Sequence, residues 1–325
     1  MFEFLKDRLT LGIFPTPIER MNFGEKLGIN LFVKRDDLDE FLGSGNKVRK
    51  LEYLLYEAKS LSCDTVLSAG GMQSNHCRAT AYFAKRLGME VELFLFGNSE
   101  VQGNLLIDRL LGARIHPITH EEYDDIEKIM EERAATLENA GHKVYVIPPG
   151  GSNATGLQGY ASMVDELRGW EKRNLKFDYI VCATGTAGTI AGLEIGKQMY
   201  GEKFKVLGIN VTKKKSEEFK EKISTMVKDF NLKFGTNFEM QLPEVVDGYV
   251  GQDYAVASKE DFEIIKEVAL SDHIILDPVY TAKAFKGMKD LVRKGMIPNG
   301  SNVLFVHTGG TFGIFAFAEQ LKAHL

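Results

Sequence analysis

Lys47 stands where a glycine-rich turn passes into an apolar repeat, in the stretch Leu42-Gly43-Ser44-Gly45-Asn46-Lys47-Val48-Arg49-Lys50-Leu51-Glu52-Tyr53-Leu54. Val48, Leu51, Leu54 and Leu55 recur at helical spacing, which puts Asn46 at a capping position and Lys47 in the first turn of a helix. The positive end of the helix dipole disfavours an ammonium there, and a neutral lysine amine is a nucleophile that can form a Schiff base. The ordinary alternative is a solvated surface lysine. A nucleotide P-loop is excluded, because G-x-x-x-x-G-K-[ST] is not matched. Gly43 and Gly45 supply backbone freedom where something must approach the main chain closely.

Two further stretches carry chemistry of the same kind. In Ala69-Gly70-Gly71-Met72-Gln73-Ser74-Asn75-His76-Cys77-Arg78 a strand ends and a helix begins, so free N–H groups, the Ser74 hydroxyl and the Asn75 amide offer a carboxylate site. Simple N-capping by Ser74 or Asn75 is the competing reading. In Thr184-Gly185-Thr186-Ala187-Gly188-Thr189-Ile190-Ala191-Gly192 a strand, a glycine- and threonine-rich turn and a helix follow one another, a place where phosphate binds to successive N–H groups. The turn lacks G-x-G-x-x-G, and no acidic residue ends a strand about 20 positions on, which points to a monophosphate rather than a dinucleotide. Ligands lie beyond the carboxyl ends of parallel strands, so Tyr280, Thr308 and this turn are expected to converge on one cleft. Of the histidines only His116 and His120 sit four apart, with Pro117 between them, and no metal site is expected.

The elements that must position these residues follow from length and pattern. With 325 residues and 44% hydrophobic content the chain suffices for two domains sharing a cleft. A net charge of −5 argues against nucleic acid as a partner, and no apolar run is long enough for a membrane span. The charged opening, unlike a signal peptide, and three scattered cysteines, Cys63, Cys77 and Cys182, give a cytoplasmic expectation. Strands are predicted at Ile29 to Lys34, Thr65 to Ala69, Glu90 to Phe96, Arg114 to Ile118, Lys143 to Ile147, Phe177 to Ala183, Lys205 to Val211, Ile274 to Leu276 and Val303 to His307. Helices lie between them, including an acidic one from Glu121 to Asn139, as in parallel sheets with crossover helices. The charged runs Lys34-Arg35-Asp36-Asp37 and Lys213 to Phe234 read as solvated, the first with a possible part in fixing the Lys47 turn.

Taken together, these features resemble the fold type II pyridoxal-phosphate enzymes, the tryptophan synthase β-subunit group. More narrowly, LGSGNKVRKLEYLL, SAGGMQSNHCRAT, VIPPGGSNATGLQGY, ILDPVYTAKAFKGM and FVHTGG look like the 1-aminocyclopropane-1-carboxylate deaminase and D-cysteine desulfhydrase family, in that family's order. The resemblance implies an α/β fold of two open twisted-sheet domains, a small one over 50–159 and a large one over 1–49 and 160–325, with pyridoxal 5'-phosphate between them. It implies that Lys47 carries the cofactor and then acts as base at the α-carbon. It places Ser74, Asn75 and His76 around the carboxylate of a small amino-acid substrate, with Asn75 also near the cofactor ring. The phosphate falls on Thr184, Gly185, Thr186, Ala187, Gly188 and Thr189, Thr308 joins the cofactor site, and Tyr254 and Tyr280 face the substrate beside Ser74. A homodimer is implied as well.

Ring-opening deaminases of this family have a glutamate directly after the tyrosine of D-P-V-Y and no threonine in the late strand-end motif. Here Thr281 and Thr308 occupy those places. A neutral hydroxyl leaves the pyridine nitrogen largely unprotonated, a weaker electron sink suited to α-proton removal with loss of a β-leaving group. The expected reaction is therefore β-elimination, as in D-cysteine giving pyruvate, ammonia and sulfide. Cyclopropane opening on the same scaffold, and a catalytically silent binding protein, are the alternatives.

Overall fold

The computed structural model describes residues 2–171, 175–239 and 242–324. Among the described residues, ten strands fall into two sheets: β1 (Ile18–Arg20), β2 (Asn30–Lys34), β3 (Thr65–Gly71), β4 (Glu90–Phe96), β5 (Arg114–Ile118), β6 (Val144–Val146), β7 (Tyr179–Thr184), β8 (Lys205–Asn210), β9 (Glu244–Val246) and β10 (Asn302–Val306). One sheet has the order β1-β2-β10-β7-β8-β9 and the other β5-β4-β3-β6. Only β1 runs antiparallel to its neighbour. Both faces of the larger sheet are covered, which the alternation along β7 shows: Tyr179, Val181 and Ala183 enter one apolar cluster while Ile180 and Cys182 enter the other. Pro117, which lacks an N–H for a second neighbour, sits on the edge strand β5. This is the α/β architecture of fold type II.

Most strands lie within one or two residues of the sequence-based expectation, and two expectations fail for identifiable reasons. Ile274 to Leu276 alternates as a strand should, with Ile274 and Leu276 buried and Ile275 exposed, yet it joins no ladder. Its main chain meets a side chain instead, the Ile275 carbonyl accepting from His307 Nε2 at 2.9 Å. The acidic helix is two helices, His120–Asp124 and Ile126–Asn139, broken at Asp125 after a start closed reciprocally by Thr119 and Glu122.

The run at the end of β2 is not solvated. Asp36 and Lys34 are fully buried. Asp36 accepts from Arg49 Nε at 2.8 Å and Nη2 at 2.7 Å, from Tyr160 Oη at 2.7 Å and from Thr16 Oγ1 at 2.7 Å. Glu166 takes Arg49 Nη1 and Lys34 Nζ, each at 2.6 Å. The network joins β2 to the helices Lys47–Ser60 and Ala154–Glu171. Burial alone would raise the Asp36 pKa, but Arg49, through its charge and its hydrogen bonds, outweighs this and with Lys34 holds it down, from 3.8 to about 2.

A carboxylate with a depressed folded pKa stabilises above its unfolded pKa and loses that contribution as pH falls through the folded one. Asp36 should thus contribute about 2 kcal/mol above pH ~4 that disappears towards pH ~2. Urea unfolding of Asp36→Asn at pH 7 should show a loss of about 3–5 kcal/mol, since Arg49 is left buried beside a neutral group. The variant's acid dependence should be correspondingly flatter; an unchanged midpoint at pH 7 would contradict the clamp.

Candidate active site

The lysine turn is pressed against the end of β10. Gly45 has φ +113°, and a Cβ there would lie 2.6 Å from the Thr308 carbonyl, which also accepts the Asn46 N–H at 3.1 Å. What approaches the glycine is therefore the protein's own main chain. Asp39 Oδ1 accepts the Gly45 N–H at 3.0 Å. Asn46 does not cap the helix: its backbone is helical and its side chain makes no capping bond. The Asn46 amide instead accepts from Lys47 Nζ at 2.8 Å and donates to Thr189 Oγ1 at 3.1 Å, so one side chain links the lysine amine to the glycine- and threonine-rich turn.

Lys47 lies at the floor of this cleft, with part of its side chain still reached by solvent. Its pKa is lowered from 10.5 to about 8, first by desolvation of the amine; Asp277 opposes the shift and Arg78 adds to it. Burial is the main cause.

Beyond β7, Ala187 adopts a left-handed conformation at φ +65° and the helix Gly188–Tyr200 begins. Among the described residues, the N–H groups of Gly185, Thr186, Ala187, Gly188 and Thr189 have no acceptor in the protein. A Cβ on Gly188 would collide with the Ser152 hydroxyl and stand 2.8 Å from Lys50 Nζ. Lys50, which the sequence reading did not single out, is buried and donates to the Gly150 carbonyl at 2.9 Å and to Ser152 Oγ at 3.3 Å; Ser152 also bonds Thr186 Oγ1 at 2.7 Å. Burial, then Lys47 and Lys222, push the Lys50 pKa well down. Its spacing of three from Lys47, which puts both amines on one helical face, was the available signal.

Ser74 caps the helix Asn75–Arg86, accepting from the Cys77 N–H at 3.2 Å, while the N–H groups of Asn75 and His76 have no acceptor among the described residues. The Asn75 Oδ1 is held by Asn104 Nδ2 at 2.8 Å. His76 is buried, with Nε2 2.9 Å from Ser68 Oγ; that hydroxyl donates to the Ile147 carbonyl, so the ring proton resides on Nε2 and Nδ1 is a buried acceptor with no partner. Burial and the two lysines keep the imidazole neutral.

Across the cleft, the hydroxyls of Tyr254 and Tyr280 are hydrogen-bonded to each other. The Tyr280 ring lies 3.7 Å from where a Gly185 Cβ would be, and Tyr254 3.5 Å from that of Gly71. Burial raises the Tyr254 pKa to about 12 and Tyr280 further. Thr281 is tied to Asp277, its hydroxyl donating to Oδ1 and accepting the Asp277 N–H, both at 2.7 Å. Thr308 is buried at the end of β10. The cleft thus gathers the carboxyl ends of β3, β7 and β10, with a nucleophilic amine, an anion cradle and a second helix start.

A family model described as pyridoxal-phosphate dependent enzyme matches residues 9–309. The chain belongs to the pyridoxal-phosphate dependent enzymes. It is 48% identical over 97% of its length, and 99% of the relative's, to a Thermotoga maritima protein provisionally named 1-aminocyclopropane-1-carboxylate deaminase. An Arabidopsis thaliana bifunctional D-cysteine desulfhydrase/1-aminocyclopropane-1-carboxylate deaminase is 38% identical over 97% of this chain and 80% of that one. The crystal structure of an ACC deaminase homologue superposes with a TM-score of 0.92 at 37% identity, covering all of both chains.

The residues fit the cofactor. A run of unpartnered N–H groups and a buried ammonium suit a phosphate, and a lysine of depressed pKa suits an aldehyde. Gly188→Ala tests the cradle: alanine favours the helix by about 1 kcal/mol but places a methyl among Ser152, Lys50 and the phosphate site. Pyridoxal phosphate affinity, titrated by absorbance, should fall at least ~100-fold, or about 3 kcal/mol, with the cofactor-free protein still folded but somewhat less stable, since Ser152 and Lys50 must shift to admit the methyl. Wild-type affinity would contradict the assignment.

Proposed function

We propose that this enzyme catalyses β-elimination from a small amino acid, with D-cysteine and water giving pyruvate, ammonia and hydrogen sulfide. The observation that carries the reading is that threonines stand where the ring-opening pattern differs, while the carboxylate that acts on Lys47, Asp277, is already engaged by its own loop. Thr281 and Thr308 replace the glutamate pattern. Asp277, the carboxylate that acts most strongly on Lys47, is engaged by the N–H groups of Val279, Tyr280 and Thr281 and by the Thr281 hydroxyl. Thr281 is thereby spent on Asp277, which leaves the Thr308 hydroxyl for the cofactor.

When bound, pyridoxal phosphate supplies the electron sink. In this reading the N–H groups of Gly185 to Thr189, with Thr184 behind them and the Lys50 ammonium beside them, hold its phosphate. Lys47 carries it and afterwards removes the α-proton. Asn75 and His76 present N–H groups to the substrate carboxylate, with the Ser74 hydroxyl and Asn75 amide beside them, while the joined hydroxyls of Tyr254 and Tyr280 guide the leaving group. The domains over 50–159 and over 1–49 with 160–325 flank the cofactor. The exposed Ile13, Phe41 and Phe315, with Phe41 in ring contact with Phe312, support a homodimer.

A second reading, cyclopropane-carboxylate deamination to 2-oxobutanoate, is favoured by the names of the Thermotoga relative and of the superposed homologue. Keto-acid release from the two substrates separates them. Pyruvate from D-cysteine should exceed 2-oxobutanoate from the cyclopropane substrate at least ~100-fold in kcat/KM, a difference of about 3 kcal/mol in activation free energy. Comparable rates would overturn the choice. Thr308→Glu should lower D-cysteine turnover at least ~10-fold and alter the cofactor's absorption spectrum; unchanged turnover with an unchanged spectrum would remove Thr308 from the account.

A further inference from the structure

The helices Asn75–Arg86 and Gly103–Leu110 face each other along a buried polar seam. Asn75 and Arg78 are three apart on one, Asn104 and Asp108 four apart on the other, so each pair shares a helical face. Asn104 Nδ2 bonds Asn75 Oδ1 at 2.8 Å, and one turn further on Arg78 and Asp108 are electrostatic partners. Arg78, Asn104 and Asp108 are fully buried. Yet Arg78 Nε and Nη1, both Asp108 carboxylate oxygens and Asn104 Oδ1 have no hydrogen-bond partner among the described residues.

Among the described residues, the one hydrogen bond of the Arg78 guanidinium runs out of the seam. Nη2 donates to the Ser44 carbonyl at 2.8 Å, with the Phe312 ring 5.0 Å from Cζ. The next residue, Gly45, is held by Asp39 at 3.0 Å. The turn before Lys47 is therefore gripped at both ends of one peptide group, the Ser44 carbonyl by the helix that starts at Asn75 and the Gly45 N–H by the segment following β2.

We propose that Arg78, through its hydrogen bond to the Ser44 carbonyl, is a positioning residue that ties the Lys47 turn to the helix whose start receives the substrate carboxylate. The carboxylate part rests on the reading given above. The titratable and charged groups that face the Lys47 amine are Asp277 before the helix Thr281–Arg293, Arg78, Cys77 and the neutral His76 from the helix Asn75–Arg86, Cys182 from β7 and Lys50 from its own helix. Asp277 favours the ammonium and Arg78 opposes it, so Arg78 acts on Lys47 through its field as well as through the turn.

The test is the rate at which the Lys47 amine condenses with the aldehyde of added pyridoxal phosphate, releasing one water, followed by absorbance in stopped flow across pH. In Arg78→Met the midpoint of the rate–pH profile should move upward by about one unit, making the reaction roughly 10-fold slower at pH 7. Arg78→Lys should return the midpoint to near the wild-type value. Pyridoxamine 5'-phosphate, which has no aldehyde, should bind every variant within about twofold of wild type. If Arg78→Met does not fold, Arg78→Gln, which keeps a donor for Ser44, should show the same displaced midpoint. An unmoved midpoint in the neutral variant, or loss of pyridoxamine phosphate binding in step with the rate, would overturn the proposal. Asn75→Ala with an unchanged KM for the amino acid would instead sink only the carboxylate reading and leave the Arg78 result standing.

Discussion

Arg49 is a guanidinium buried beneath the active cleft, and its charge has to be met wherever the helix Lys47–Ser60 goes. It is met from two directions, by Asp36 at the end of β2 and by Glu166 on the helix Ala154–Glu171, and Glu166 is shared with the buried Lys34. Removing either acid would strand a charge in the interior, so the helix can dock in only one rotation. That rotation turns the flank bearing Lys47 and Lys50 towards the start of the helix Gly188–Tyr200. The chemistry of two amines is in this sense fixed by an arginine that touches neither.

The cleft so formed has a surplus of positive character and little water to support it. Two lysines with depressed pKa values, a neutral buried histidine, Arg78 and the open N–H groups of two helix starts all face it or lie just behind it. Such a site is costly when empty of anions: a phosphate held there would restore the charge of Lys50, while the depressed pKa of Lys47 keeps a fraction of its amine free to react at neutral pH. Glycines stand where any side chain would fill the space, Gly45 against the Thr308 main chain and Gly188 against Ser152 and Lys50.

Much of this was legible in the sequence because each strand-to-helix junction leaves a local trace. The three stretches around Lys47, Ser74 and Gly185 were identifiable from glycine placement and apolar period, and they meet in one cleft. Less legible was whatever depends on partners distant along the chain. Asp36 lies in a charged run and reads as solvated, yet it is buried through Arg49 and Tyr160. Asn46 looks like a cap but spends its amide on Thr189, 143 residues away. Lys50 is one of many lysines until Gly150 and Ser152 close around it. Ile274 to Leu276 has a strand's period without a strand's neighbour, and the three-residue strands β1 and β9 are too short to show a period at all.

The most direct measurement is to reduce the pyridoxal phosphate-loaded protein with borohydride and locate the label by peptide mass spectrometry. The expected result is a single modified peptide with the added mass on Lys47, and no labelling in Lys47→Ala. A label on Lys50 or another lysine in the wild-type protein, or undiminished labelling of Lys47→Ala, would contradict the placement of the reactive amine.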